Sequence, residues 1–314
     1  MKTVLTVILN WRTAEMTLRA AQSAITAMEG IPGAITIVDN DSQDGSFEAM
    51  AEAAADWPRV RVIQSGHNGG FGAGNNVGIR AGLPDGTKPD YVFILNSDAF
   101  PEPEAIRALV NHLNRHPEVG FAGSAIRGED DIPHVTAFRF PSIASEFEGS
   151  AKTGPVSKLL KHAIVAPPLP SRTARVDWLA GAAVLMRQEM LDRIGLFDET
   201  FFLYFEETDL FLRGARAGYA ADYVTESRVV HIGSVSTGMK AWRRVPDYWF
   251  QSRRHYFEKN HGRLYALAAT GAHLAGLGLY GLRVILQRKQ PHTPPHFARD
   301  LLKHSLGTRH TQES

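Results

Sequence analysis

Five short segments of this chain place polar side chains at spacings that could do chemistry. In Ile37-Val38-Asp39-Asn40-Asp41-Ser42 an apolar run ends in Asp39. A carboxylate there is acceptor-only and could take the imide N–H of a uracil or thymine ring; the same residue types also favour a plain turn. His67 to Gly78 carries Gly70, Gly72 and Gly74 at alternate positions ahead of an expected helix. Backbone N–H groups at such a helix start could meet a diphosphate, or the glycines could serve a generic turn. In Tyr91 to Ala99, five apolar residues deliver Asn96 and Asp98 to a strand end. Residues at i and i+2 point to one side of an extended chain. A hard divalent cation bridging two phosphates needs one or two carboxylates and keeps its other positions for water and phosphate oxygens. Asp98 suits that role; a helix cap ahead of Pro101 and Pro103 is the alternative.

Further along, Glu206, Glu207 and Asp209 fall within four residues, framed by Phe201, Phe202, Tyr204, Phe205 and Phe211. Apolar walls and like charges raise a carboxylate's pKa and make it a better base. Acids in a first helical turn are also favourable in their own right. Last, Val229-Val230-His231-Ile232-Gly233 puts an imidazole at a strand end, where it could complete a metal site or be structural.

The elements that must position these residues follow from period and composition. The 314 residues are 44% hydrophobic and 21% charged, as in a globular enzyme with a real core. The absence of cysteine excludes disulfides, thiolate metal sites and cysteine nucleophiles. The apolar run after Met1-Lys2 is too short for a signal peptide and has no small-residue cleavage site. It reads as a buried first strand of a cytoplasmic protein.

Strands are expected at Val4–Leu9, Ala34–Val38, Val60–Ile63 and Tyr91–Leu95, and helices at Thr13–Met28, Ser46–Ala55 and Pro103–Arg115. This alternation predicts an α/β fold, a doubly wound, mostly parallel sheet flanked by helices. Ligands in such sheets bind at the carboxyl ends of strands, where the polar segments fall. Residues 129–175, rich in Pro, Ser and Lys, read as an irregular loop or lid. After it come helices near Gln188–Ile194 and Thr208–Ala217 and short strands at Ala220–Val224 and Arg228–His231. The expected organisation is a domain over 1–240, with one half at 1–125 and a second at 176–240, then a helical extension over 241–314.

That extension is basic. From Lys240 to Ser314 there are 13 Lys/Arg and 4 Asp/Glu, a balance of +9, whereas the other 239 residues carry 21 and 29, a balance of −8. An anionic partner on one side follows, or a merely solvated tail. Leu264 to Leu282 has no Asp, Glu, Lys or Arg. A packed helix, a helix in the membrane interface beside Arg283, Arg288 and Lys289, and a spanning helix are the three readings.

In this order the five segments resemble family 2 glycosyltransferases of the GT-A fold, and within them the bacterial rhamnosyltransferases of cell-surface polysaccharide synthesis. The resemblance runs from about Thr3 to Gly262. It implies that Asn10 and Asp39 line the nucleobase and ribose pocket, and that Asn68, Gly70, Gly72 and Asn76 shape the floor under the donor. Asn96-Ser97-Asp98 stands where the family carries Asp-X-Asp, so a Mg²⁺ or Mn²⁺ would rest on Asp98, with His231 as the later metal ligand. Glu207 stands at the catalytic base, one methylene longer than the usual Asp, with Asp209 in reserve. Trp178, Gly181, Glu206, Arg253 and Arg254 match acceptor-side positions.

The implied reaction is an inverting displacement, with dTDP-rhamnose as preferred donor. The acceptor would be a hydroxyl of a glycan or polyprenyl-diphosphate-linked sugar, with peripheral contact at the inner face of the plasma membrane through the C-terminal tail. A UDP-hexose transferase and a non-catalytic nucleotide-sugar binder are the alternatives, and nucleic acid is not an expected partner. A nicotinamide oxidoreductase would need a spaced glycine fingerprint after the first strand, and none is there.

Overall fold

The apolar runs at the start of the chain become a buried parallel sheet in the computed structural model, which describes residues 2–233, 243–290 and 293–307. In chain order the first elements are β1 (Val4–Asn10), α1 (Ala14–Ala27), β2 (Gly33–Asp39), α2 (Ser46–Ala53), β3 (Val60–Gln64), α3 (Gly70–Arg80) and β4 (Tyr91–Asn96). β5 (Ala99–Pro101), α4 (Ala105–Arg115), β6 (Val119–Arg127) and β7 (Ala137–Phe138) follow. Then come α5 (Ile143–Ala151), α6 (Gly154–Leu159), β8 (Ala174–Val176), β9 (Trp178–Leu179), β10 (Ala183–Arg187), α7 (Gln188–Ile194), α8 (Glu206–Arg216) and β11 (Ala220–His231). α9 (Asp247–His261), α10 (Arg263–Leu286) and α11 (Phe297–Leu306) complete the chain.

The main sheet has the order β3-β2-β1-β4-β10-β6-β11-β5, with β8 added on β11; β7 and β9 form a separate pair. β1 pairs in parallel with β2 and β4, and β2 with β3. β10 lies antiparallel to β4 and β6, while β11 runs parallel to β6. Val4, Leu5, Val7 and Ile8 have no exposed surface, nor do Val92 and Phe93, because helices cover both faces of the sheet. α4 buries Ala105, Ile106, Leu109, Val110 and Leu113, a single stripe at helical spacing. The α/β fold with a mostly parallel, helix-flanked sheet and a helical C-terminal region is therefore as the sequence predicts.

Three local readings change. β6 has no counterpart among the expected strands, because its Gly and Ser residues lower the apolar density that marks a buried strand. The two strands expected at 220–224 and 228–231 are one, β11, whose register shifts between Val224 and Arg228. The stretch 129–175, read as irregular, holds α5, α6 and a 3-10 turn at Lys161–Ala163. Ser142 and Ser145 close a capping box that starts α5.

Two compact units emerge. One comprises Met1–Phe138, Pro168–Phe202 and Glu206–Lys240; the other comprises Arg139–Pro167, Leu203–Phe205 and Ala241–Ser314. The second is helical. In it α10 lies along α5, close enough that a Cβ at Gly276 would fall 2.0 Å from Ser150 Oγ. Its 24 residues are long and apolar enough to cross a membrane by length and composition.

Candidate active site

Sheet register brings the sequence's scattered polar residues into a row. Asn10 lies opposite Asp39 on β2, and Leu9 opposite Asn96 on β4. The Asn96 N–H donates to the Ala182 carbonyl at 2.9 Å, which carries the row on to Gly181. Thr13 Oγ1 donates to Ser97 Oγ at 3.2 Å and joins the loops after β1 and β4. These are the carboxyl ends of parallel strands, where the open side of an α/β sheet receives ligands.

Asp39 and Asn10 are closed into this rim. Asp39 Oδ1 accepts from Asn10 Nδ2 at 2.7 Å and Ser42 Oγ at 2.6 Å, and its Oδ2 accepts from the Ser42 N–H at 3.0 Å. Asn10 Oδ1 accepts from the Thr13 N–H and from Thr17 Oγ1. Neither residue has exposed surface. The carboxylate expected to meet a nucleobase also fixes the Asn10–Ser42 loop, and of its roughly four acceptor positions one on Oδ2 is left open. Ser42, which turn composition alone did not single out, supplies two of the three bonds.

Asp98 and His231 meet across β5 and β11, where His231 lies opposite Ala99. His231 Nε2 stands 3.0 Å from Asp98 Oδ1, and the Gly233 N–H donates to Asp98 Oδ2 at 3.1 Å. Asn96 Nδ2 approaches the same imidazole nitrogen at 3.5 Å. Burial pushes the Asp98 carboxyl up, but the hydrogen bond and charge of His231 outweigh it and hold the group below its ordinary range. The loop from Ser234 lies outside the described residues.

The glycine-rich segment opens α3. Gly70 has φ +88°, and a Cβ there would fall 1.8 Å from the Phe202 carbonyl oxygen, so the position requires glycine. The Phe71 N–H donates to that oxygen at 3.0 Å. Asn68 Oδ1 accepts from the Gly70 N–H at 3.1 Å and from Asn40 Nδ2 at 2.9 Å. Gly72 faces Phe197, 2.9 Å from where its own Cβ would be. Asn76 is buried and bonds the Phe197 backbone through both ends of its amide, so it clamps the segment leading to α8. Phe71, absent from the expected site, stacks edge-on against Phe197 and lies 3.1 Å from a Cβ built on Gly181.

Glu206 and Glu207 open α8. Glu207 Oε1 stands 3.8 Å from a Cβ built on Gly181. The Oε2 atoms of both glutamates are buried without a hydrogen-bond partner. Burial, then the Glu207 charge, pushes Glu206 well above the carboxylate range; burial also raises Glu207, against backbone hydrogen bonds from Glu207 and Gly181. Just ahead, Tyr204 and Phe205 hold φ of +70° and +68°. Bulky residues rarely adopt that conformation, and each costs about 1–3 kcal/mol, a strain typical of functional sites. Asp209 is different: it has no exposed surface and its Oδ2 accepts from Arg213 Nε at 2.8 Å. Trp178 stacks on Phe138, ring centroids 4.4 Å apart.

Residues 6–163 match the family model described as Glycosyl transferase family 2, and residues 91–287 match one described as Glycosyl transferase family group 2. The chain belongs to glycosyltransferase family 2. This glycosyltransferase is 31% identical over 229 residues to an N-acetylglucosaminyl-diphospho-decaprenol L-rhamnosyltransferase of Mycobacterium tuberculosis, across 66% of this chain and 69% of the relative. Among solved structures it resembles a mannosyltransferase of Pyrobaculum calidifontis in complex with GDP-Man and Mn²⁺, at 15% identity and TM-score 0.55, over 96% of this chain and 85% of that one. It also resembles GalNAc-T7 with UDP, GalNAc and Mn²⁺, at 14% identity and TM-score 0.61, over 97% of this chain but 54% of that one. At these identities the two structures share the GT-A fold.

Two expected acceptor-side residues of the glycosyltransferase are otherwise engaged. Arg253 is buried; its guanidinium donates to Glu146 Oε2 at 2.9 Å and to Thr270 Oγ1 at 3.1 Å. Arg254 donates to Glu258 at 2.8 Å and to the His304 carbonyl at 3.1 Å. Both arginines therefore hold helices of the second unit together, since a buried guanidinium must satisfy its donors internally.

Among the described residues of the glycosyltransferase there is no group of three or more His, Asp or Glu able to hold a metal ion. The donor set at Asp98 still fits a Mg²⁺ or Mn²⁺ of the kind that retains several waters and binds mainly through phosphates. It comprises one buried carboxylate, the adjoining His231 imidazole and the Asn96 amide, with both Asp98 oxygens already oriented by hydrogen bonds.

Proposed function

We propose that this glycosyltransferase is a metal-dependent, inverting rhamnosyltransferase. It moves rhamnose from dTDP-rhamnose to a hydroxyl of a lipid-diphosphate-linked sugar at the cytoplasmic face of the membrane. What carries the reading is the link between its two acidic centres: Asp98 and Glu207 lie on adjoining segments joined by the Asn96–Ala182 hydrogen bond and by Gly181. A leaving diphosphate and an attacking hydroxyl need such neighbours. The sugar transferred and the acceptor class are supported by the 31% identical relative, an N-acetylglucosaminyl-diphospho-decaprenol L-rhamnosyltransferase.

In this reading Glu207 takes the proton of the acceptor hydroxyl as its oxygen bonds to the anomeric carbon and the bond to the nucleoside diphosphate breaks. General-base help of this kind is worth about 10²–10⁴-fold. Its raised pKa strengthens it as a base, and its unpartnered Oε2 is free to receive the proton. Burial and the neighbouring Glu207 charge both disfavour ionisation of Glu206, so the two carboxyls titrate as a pair. Asp209 holds Arg213, whose guanidinium ties α8 to the Ile194 and Leu196 carbonyls, and Phe71 and Trp178 offer apolar surface that excludes water. A bound Mg²⁺ or Mn²⁺, held by Asp98 and His231, would supply charge neutralisation at the departing diphosphate.

The deciding experiment offers the purified chain a panel of nucleotide sugars with a polyprenyl-diphosphate-linked acceptor and reads products by mass spectrometry and anomeric NMR. Transfer from dTDP-rhamnose with inversion supports the reading. Transfer only from a UDP-hexose replaces the donor, and retention of configuration removes the mechanism.

A further inference from the structure

α10 has two unlike faces. Toward α5 and α9 it buries Ala266, Ala269, Thr270, Gly276 and Tyr280. His273 lies on the same side, with Nδ1 2.6 Å from Glu146 Oε2, the oxygen that also receives Arg253. The opposite face carries Leu264, Ala268, Ala275, Leu279, Leu282 and Leu286 at helical spacing, all exposed. Leu264 and Leu286 are each 83% exposed and Leu282 is 62% exposed. Among the described residues this is an uninterrupted apolar stripe along a helix of 24 residues. Stripes of this length on a soluble surface mark an interaction site.

Charge says what covers it. Between Glu258 and Asp300 the sequence has no acid, while Lys259, Arg263, Arg283, Arg288, Lys289 and Arg299 are all basic. An apolar helical face flanked only by positive charge complements an anionic lipid surface. A second copy docked face to face would set these cations against their equivalents, which is unfavourable. A spanning arrangement would expose the His273–Glu146–Arg253 cluster to lipid or tear it apart, and buried ion pairs broken in this way are strongly destabilising.

We infer that α10 lies in the plane of an anionic membrane, its Leu264–Leu286 stripe in the acyl boundary and Arg283, Arg288 and Lys289 at the headgroups. The inference goes beyond the sugar-transfer reading and does not depend on it. The surface is the helix face itself, rather than the basic tail beyond it.

The test is co-sedimentation of the full chain with phosphatidylcholine vesicles, with and without phosphatidylglycerol, at low and high salt. Binding should require phosphatidylglycerol and weaken with salt. Two variant sets separate the contributions: Leu279→Gln with Leu282→Gln and Leu286→Gln, and Arg288→Gln with Lys289→Gln. All five side chains are exposed, so circular dichroism should show an unchanged fold. Each set should lower partitioning by about tenfold or more. The inference is overturned if both sets partition like the unaltered chain, or if the protein resists carbonate extraction as a spanning helix does. It is equally overturned if velocity sedimentation shows a dimer that the leucine variant dissociates and no lipid binding.

Discussion

Asp98 and His231 stand 133 positions apart and meet at 3.0 Å between Oδ1 and Nε2. The contact exists because β5 and β11 pair antiparallel at Ala99 and His231, so the imidazole is delivered to the strand end that carries the carboxylate. Asp98→Ala and His231→Ala should each weaken Mn²⁺-stimulated binding of dTDP by about 100-fold. Titration calorimetry with and without Mn²⁺ measures this; undiminished stimulation in both variants removes the metal assignment.

Glu206 and Glu207 are adjacent carboxylates that should not behave alike. Glu207→Gln should lower kcat by about 10²–10⁴-fold and leave KM for the donor nearly unchanged. Glu206→Gln replaces a group whose folded pKa is already raised, and should lower kcat by less than about tenfold. Steady-state kinetics of the two variants provides the comparison, and the reverse ranking would move the base to Glu206.

Protonation of the pair also sets a pH dependence. Burial raises both carboxyls, so the acidic limb of kcat/KM should lie above the ordinary carboxylate range and belong to the pair rather than to one residue. For stability, an acid whose folded pKa is raised binds more protons folded than unfolded, so its contribution is full below about pH 4.3 and is lost as pH rises through the folded pKa. Glu206→Gln should therefore raise the melting temperature at neutral pH relative to the unaltered chain and lose that advantage near pH 4. Thermal melts across pH read this directly.

Gly181 and Gly70 separate function from folding. At Gly181 an added Cβ meets only the Phe71 ring, at 3.1 Å, beside Glu207. Gly181→Ala should fold normally and lose activity by about tenfold, since small displacements of a base are expensive in rate. Gly70→Ala meets backbone at a left-handed φ and should lower stability by about 2 kcal/mol or more. A denaturant melt of each, with kinetics on the folded fraction, distinguishes them.

Arg253→Ala leaves the Glu146 carboxylate buried with the His273 imidazole as its remaining partner. The expected loss is about 3–5 kcal/mol of stability. Acceptor KM, measured well below the lowered melting temperature, should be unchanged. A raised KM with unaltered stability would restore Arg253 to the acceptor side.

Much of this protein was legible in one dimension. Val4–Leu9, Ala34–Val38 and Tyr91–Leu95 are apolar runs too short for anything but buried strands, and the polar residues that end them had to emerge on one edge of a parallel sheet. Asp98 and His231 were singled out in this way, because residue type and strand-end position are local properties, whereas Glu207, in the first turn of α8, was singled out by its acidic and aromatic neighbours. β6 was not, since its Gly and Ser residues dilute the apolar signal that its central place in the sheet supplies. Tertiary structure alone decided which polar groups are already taken. Arg253 has the right chemistry for a ligand, yet Glu146 comes from elsewhere in the chain to satisfy it, and Asn10 does the same for one oxygen of Asp39. The apolar content of α10 was likewise plain from composition, but which half of its circumference faces water depended on where α5 packs. Hydrogen-bond saturation and burial are sums over neighbours distant in sequence, and those neighbours are fixed only when the chain has folded.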